Sequence, residues 1–384
     1  MTIRPENLRA HYTAFLRAGR ILLTGHSHQA WPDAARQAQL EAFDVAAEQV
    51  DDKWGDALRV ADEVRAFVAG RIGAEAGEIA LASSTHELVA RFLSAMPEGR
   101  RHVVTTTGEF HSARRQLARL GEAGLEVDWV EALPAATLAE RLAARLRPDT
   151  FAVLVSSVLF ETASVVPHLA ELARQARALG AHVLVDAYHA FAVVPFDVAS
   201  LGGDVFVTGG GYKYAQWGEG NCFLRVPHGT DLRPVYTGWF SDFAGLAHHR
   251  GDPRAQRVGY GPRPADLFAG STYDPTSHYR ARAVARFFDA QGLTDGALRA
   301  LSLAQTGRLL AGLEGFDVRT PRAEPERGGF VTVRLEDASG TVERLRARGV
   351  FVDARGELLR FGPAPYLTDA EIDEALAIFR QVAR

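Results

Sequence analysis

The chain of 384 residues has one cysteine, Cys222, and two methionines. A single thiol permits no disulfide within the chain and no zinc site built on cysteines, which fits a reducing compartment. No apolar run reaches the ~18 residues that a membrane-spanning helix needs. The opening Met1-Thr2-Ile3-Arg4-Pro5-Glu6-Asn7 has no apolar stretch of the secretory kind, so the expected location is the cytoplasm. An excess of one charge is also missing: 43 Lys and Arg stand against 47 Asp and Glu, for a net charge of −4. That balance predicts neither a nucleic-acid nor a membrane partner. No metal site, internal repeat or low-complexity segment is expected.

What is present is a globular composition, 47% hydrophobic and 23% charged. The length exceeds one ordinary core, which predicts two lobes. Helices are expected over 6–18 and 32–70, the second with Pro32 near its start. Strands at 78–82, 101–106, 125–130, 151–156, 182–186, 204–208 and 221–226 then alternate with helices over 83–96, 111–121, 137–146 and 168–179. This alternation predicts a mostly parallel seven-stranded sheet between helices, an α/β fold. Residues 228–278 break the pattern with many Gly, Pro, Tyr and Trp, and a span this long is expected to be functional. Helices at 278–290, 294–312, 340–348 and from 368, with strands at 329–335 and 350–361, predict a smaller α+β C-terminal domain. The expected division is 1–30 as a segment joining the small domain, 31–278 as the large domain and 279–384 as the small one.

The chemistry is concentrated in two segments. Val183-Leu184-Val185-Asp186 reads as a buried parallel strand ending in a carboxylate at the sheet's C-terminal edge. Gly209-Gly210-Gly211-Tyr212-Lys213-Tyr214 follows the next strand and reaches the same edge. One carboxylate and one lysine, a single crossover apart, are what a pyridoxal phosphate enzyme needs. The lysine, Lys213, forms the Schiff base, and Asp186 keeps the pyridine nitrogen protonated. Taken singly, Lys213 also reads as a solvated loop residue and Asp186 as a cap. Ser83-Ser84-Thr85 lies between a strand and a helix, where N–H groups favour a phosphate, although N-capping explains it too. In Gly108-Glu109-Phe110-His111-Ser112, either Phe110 or His111 is placed to stack on a flat ring. His189 is a further candidate for contact with the cofactor or Asp186, and Tyr212 for the phosphate.

Thr85, Glu109-Phe110-His111-Ser112, Asp186-x-x-His189 and Tyr212-Lys213-Tyr214, in this order, resemble the class V aminotransferase family of fold-type-I pyridoxal phosphate enzymes. The kynureninase-like subgroup is the nearest match. Ile21-Leu22-Leu23-Thr24-Gly25-His26-Ser27 is similar to the family's opening segment, and the resemblance spans about residues 20 to 380. Thr237-Gly238-Trp239-Phe240 resembles a Gly-Trp-Phe whose Trp reaches a cofactor phosphate across a homodimer. Leu358-Leu359-Arg360-Phe361-Gly362-Pro363 resembles the segment whose Arg grips the substrate carboxylate. The resemblance thus implies Ser84, Thr85, Phe110, His111, Asp186, His189, Tyr212, Lys213, Trp239 and Thr272 around the cofactor. It implies Arg360, His26, His28 and Glu161 around an amino-acid substrate. Arg360 in an apolar run also reads as an ion pair with Asp353, Glu357 or Asp369.

The departures concern the substrate's ring. Glu48-Gln49-Val50-Asp51-Asp52-Lys53-Trp54 lacks the His that kynureninases carry there. Gly270-Ser271-Thr272-Tyr273-Asp274-Pro275 replaces a Ser-Asn-Pro segment, and Glu161 stands where a Tyr is expected. The expected activity is cleavage or elimination at the β-carbon of an amino acid through a Lys213 aldimine. Transamination is the alternative, and a non-catalytic sensor that binds the cofactor is a remoter one. A persulfide mechanism is not expected of Cys222, which reads as a buried thiol.

Overall fold

The computed structural model describes residues 3–17, 19–245 and 257–383. The helix α1 (Pro5–Arg9) and strand β1 (Ile21–Leu22) precede two long helices, α2 (Ala34–Gln49) and α3 (Lys53–Ile72). Then come β2 (Ile79–Ala82), α4 (Thr85–Leu93), β3 (His102–Thr106), α5 (His111–Glu122), β4 (Glu126–Val130), α6 (Leu138–Ala143), β5 (Thr150–Ser156), α7 (Leu169–Ala178), β6 (His182–Asp186), β7 (Phe206–Gly210) and β8 (Cys222–Arg225). The C-terminal part comprises α8 (Thr276–Ala290), α9 (Asp295–Gly312), β9 (Asp317–Val318), β10 (Val331–Arg334), α10 (Ala338–Ala347), β11 (Val350–Phe351), β12 (Asp353–Arg355), β13 (Leu358–Phe361) and α11 (Asp369–Val382).

The seven-stranded sheet runs in the order β2-β8-β7-β6-β5-β3-β4. Only β8 is antiparallel to its neighbours, so the sheet is mostly parallel, as expected. Alternation along the strands explains the layers. Val153, Val155, Val183 and Val185 face a core that includes Val64 and Val68 of α3 and Leu172 of α7. Leu154, Leu184 and Phe206 face the other, with Leu88 and Phe92 of α4 and Leu117 of α5. Helices therefore cover both faces, and every strand that feeds the site is buried on two sides. A second sheet, β12-β13-β10-β9, forms the core of the smaller α+β part, and β1 joins β11 in parallel.

Two helix expectations are corrected. The span 32–70 is two helices, because the chain turns at residues 50–52, with Val50 at φ 52° and two poor helix formers, Asp51 and Asp52, after it. The apolar periodicity runs through the turn because α2 and α3 both pack on α8. The helix expected over 6–18 ends at Arg9. Beyond it the chain is held by long-range bonds: the Tyr12 hydroxyl donates to Gln216, and Asp33 accepts from the Thr13 N–H at 2.9 Å. Part of the expected functional span 228–278, residues 246–256, lies outside the described residues. No helix among the described residues is long and apolar enough to cross a membrane.

Candidate active site

Parallel strands bring their C-terminal ends to one edge, where ligands bind in open α/β sheets. Asp186 ends β6 and lies opposite Thr208 of β7 on one side and Ser156 of β5 on the other. Lys213 follows β7 by three residues. The three glycines before it are required by packing: a Cβ at Gly209 would strike Phe223, at Gly210 Tyr188 and Cys222, and at Gly211 Trp217. Ser84 and Thr85 reach the same edge at the start of α4, since β2 runs parallel to β7 through the reversed β8.

Asp186, Lys213, Ser84 and Thr85 line a cavity of about 350 Å³ together with Phe110, Ser156, Phe160, Tyr188, His189, Tyr212 and Cys222. Its volume suits a small-molecule ligand. A larger cleft of about 690 Å³ lies at the opposite edge of the sheet, by His182 at the start of β6. It brings together no lysine–carboxylate pair.

Lys213 is 4% exposed. Its Nζ lies 2.6 Å from Nε2 of His189 and 4.6 Å from the centre of the Tyr188 ring. Burial lowers the amine to about 7 against the pull of Asp186. His189 is lowered well below its usual range, by burial first and then by Lys213. Burial raises Asp186, whose Oδ1 accepts from the Tyr188 N–H at 2.8 Å. The site therefore holds an amine that is easily neutral and a carboxyl that gains from a cationic partner. Ser84 also caps α4, accepting from the Glu87 N–H at 3.2 Å.

Sequence left Phe110 and His111 level. In the structure Phe110 lines the cavity and is half-buried, while His111 is exposed and packs edge-on against Phe160 at 5.4 Å. The other expected residues lie outside the cavity wall. Arg360 is 3% exposed and paired with Asp353, directly opposite it on β12. Its Nε donates to Asp353 Oδ1 at 2.9 Å, its second nitrogen to Oδ2, and its third to the Phe160 carbonyl at 2.8 Å. The ion pair weighed for Arg360 thus exists, and Phe160 links it to the cavity wall. His26 Nε2 lies 2.7 Å from the same Asp353, and its ring stacks on Phe330 at 4.8 Å. His28 is exposed beside Tyr212, at 5.4 Å between rings. Glu161 contributes its carbonyl to Thr332. Trp239 Nε1 donates to Thr272 Oγ1 at 2.8 Å on the surface.

Sequence reasoning passed over Ser156, Tyr188 and Glu109. Glu109 was visible only as a neighbour of Phe110, yet it is 2% exposed and bonds Ser156 of the cavity wall. The one available signal was an acid three residues after a strand that is buried throughout.

The profile of the family described as "Aminotransferase class-V" matches residues 35–361. A kynureninase of Deinococcus radiodurans is 28% identical over 340 residues, covering 84% of this chain and 78% of its own. Isopenicillin N epimerase of Streptomyces clavuligerus is 28% identical over 349 residues, covering 86% of each. The apo structure of a cysteine desulfurase from Thermococcus onnurineus NA1 superposes with a TM-score of 0.81 at 21% identity, over 100% of this chain and 99% of that one, and so has the same fold. With its profile matched over most of its length, the chain belongs to the class-V aminotransferase family, a family of pyridoxal phosphate enzymes.

Proposed function

We propose that this cavity binds pyridoxal phosphate between Lys213 and Asp186, and that the enzyme cleaves or eliminates at the β-carbon of a small amino acid. The carrying observation is the buried, easily neutralised Lys213 sharing one cavity with the buried carboxyl of Asp186. The donor set suits the cofactor at each end. Asp186 suits a pyridinium nitrogen, Phe110 a flat ring, and Ser84, Thr85 and the first turn of α4 a phosphate. When bound, the cofactor supplies an electron sink for bonds at the substrate's α-carbon.

The protein's own groups do the rest. Asp186 holds a proton at the ring nitrogen. Lys213 carries the covalent link to the cofactor and then moves a proton between the substrate's α-carbon and its neighbours. His189, 2.6 Å from Nζ and kept uncharged by burial, orients the Lys213 amine by hydrogen bonding. Tyr212 stands at the cavity wall, and burial raises its hydroxyl further, to about 12. Arg360 anchors the substrate carboxylate with the N–H groups left free by Asp353 and Phe160, and Asp353 orients it. His26 holds Asp353 in turn. Trp239 and Thr272 serve the phosphate of a second copy in a homodimer.

Two observations favour β-carbon chemistry that needs no thiol on the enzyme. The kynureninase relative matches over most of this chain, and burial raises the Cys222 thiol to about 11, which makes it a poor nucleophile. The decisive experiment is single-turnover absorbance with kynurenine, cysteine-derived sulfoxides and alanine, with product analysis. A β-cleaved product with release of an alanine-sized or pyruvate-sized fragment supports the reading. A keto acid with the side chain intact replaces it with transamination, and an absorbance change with no product replaces it with a sensor.

A further inference from the structure

Behind the cavity wall Glu109 makes three hydrogen bonds whose donors can be counted. Oε1 lies 3.0 Å from the Ser156 N–H and 3.1 Å from Thr106 Oγ1. Thr106 Oγ1 itself accepts from the Gly108 N–H at 3.0 Å and directs its own hydrogen at Glu109. Oε1 therefore receives two donors. Oε2 has a single short contact, 2.6 Å to Ser156 Oγ. A proton on this carboxyl has one place to sit, between Oε2 and Ser156 Oγ. If it sits there, Oε2 donates, Ser156 Oγ accepts, and the serine's own hydrogen is released towards the cavity that Ser156 lines.

From this count, together with deep burial and no bonded cation, we infer that Glu109 works as a neutral acid, a positioning residue that turns the Ser156 hydroxyl into a hydrogen-bond donor facing the cofactor cavity. The inference rests on the proposed function only for what Ser156 donates to. The surroundings support the neutral form. The group is 2% exposed, and no Lys, Arg or His bonds it among the described residues. The elements packed on it offer neutral hydroxyls from β3 and β5 and one charge, Asp186 at the end of β6, of the same sign. Burial pushes Glu109 up to about 7, with the Ser156 hydroxyl opposing and Asp186 adding to the rise. With Asp186 ionised, a second negative charge buried at Glu109 is disfavoured by their repulsion.

The test reads the proton directly, without cofactor. The infrared difference spectrum of the apo wild type minus Glu109→Gln at neutral pH should show a carboxylic-acid C=O band. Carboxylate bands alone overturn the inference. Should Glu109→Gln fail to fold, the same band is read in the wild type as a shift on Ser156→Ala, and no shift overturns it equally. In the folded variants, Gln keeps both the acceptor for the Ser156 N–H and a donor for its Oγ. Glu109→Gln should therefore bind pyridoxal phosphate within about threefold of wild type, with the same pH profile of absorbance, while Ser156→Ala and Glu109→Ala each weaken it about tenfold. A Gln variant as weak as the Ala variant shows an ionised, merely structural Glu109. Failure of every form to bind the cofactor overturns the proposed function instead, and leaves the infrared result standing.

Discussion

Nζ of Lys213 lies 2.6 Å from Nε2 of His189, a pair of nitrogens buried together in one cavity. Two positive charges at that distance are excluded, so near neutrality the pair holds at most one extra proton. Reductive labelling should follow from this. The cofactor-loaded protein should be yellow, and borohydride should bleach it while fixing the label on Lys213. Peptide mapping that finds the label on Lys53 would end the reading.

The same burial makes stability depend on pH with a definite sign. Lys213 is lowered from 10.5 to about 7, so between these values the unfolded chain binds a proton that the folded chain does not. This group therefore lowers apo stability below about pH 7, and the cost fades as pH rises towards 10.5. Urea unfolding of the apo forms should show Lys213→Met more stable than wild type near neutrality, with the gap closing as pH rises. A gap that widens with pH contradicts the assignment.

Asp186→Asn should keep the fold and lose roughly 30-fold or more in kcat/KM, because the replacement cannot hold a proton at a ring nitrogen by charge. The cofactor absorbance of the variant should shift with pH where that of the wild type stays constant. Unchanged kcat/KM would remove Asp186 from the chemistry.

Arg360→Ala should cost roughly 30- to 1,000-fold in kcat/KM, and Arg360→Lys should recover only part, since an ammonium lacks the planar fork. Because Asp353 loses one of its partners while keeping His26 and Arg355, the Ala variant should also lose about 1–3 kcal/mol of stability by urea unfolding. Adding Asp353→Asn should restore stability but not catalysis. If Arg360→Ala lowers stability and leaves substrate affinity intact, Arg360 is purely an ion-pair residue, and His26 and His28 become the next candidates for the carboxylate.

Val235 and Tyr236 are 84% and 53% exposed, beside Trp239 at 36%. A surface this apolar predicts a homodimer that buries it. Sedimentation should show a dimer for the wild type, and Tyr236→Asp should shift it towards monomer with weaker cofactor retention. A wild-type monomer that holds cofactor and turns over substrate refutes the shared site.

Much of this was legible in the sequence, because local pattern encodes it. Buried strands declare themselves as apolar runs, so the strand end carrying Asp186 and the turn carrying Lys213 could be placed from local pattern alone. The break at Val50-Asp51-Asp52 was not legible, since both halves of 32–70 present apolar residues to the same helix, α8. Phe110 and His111 were equal candidates in sequence, and only the structure shows that Phe110, the extended residue just before α5, lines the cavity.

By itself the sequence determined the fold type and the lysine–carboxylate pair, both products of short-range spacing within and just after strands. The tertiary structure decided who touches whom across the chain. It set Asp353 opposite Arg360 through the register of β12 and β13, and it carried Glu109 to Ser156, 47 positions away. Such partners depend on register and burial between distant segments, and no local period records them.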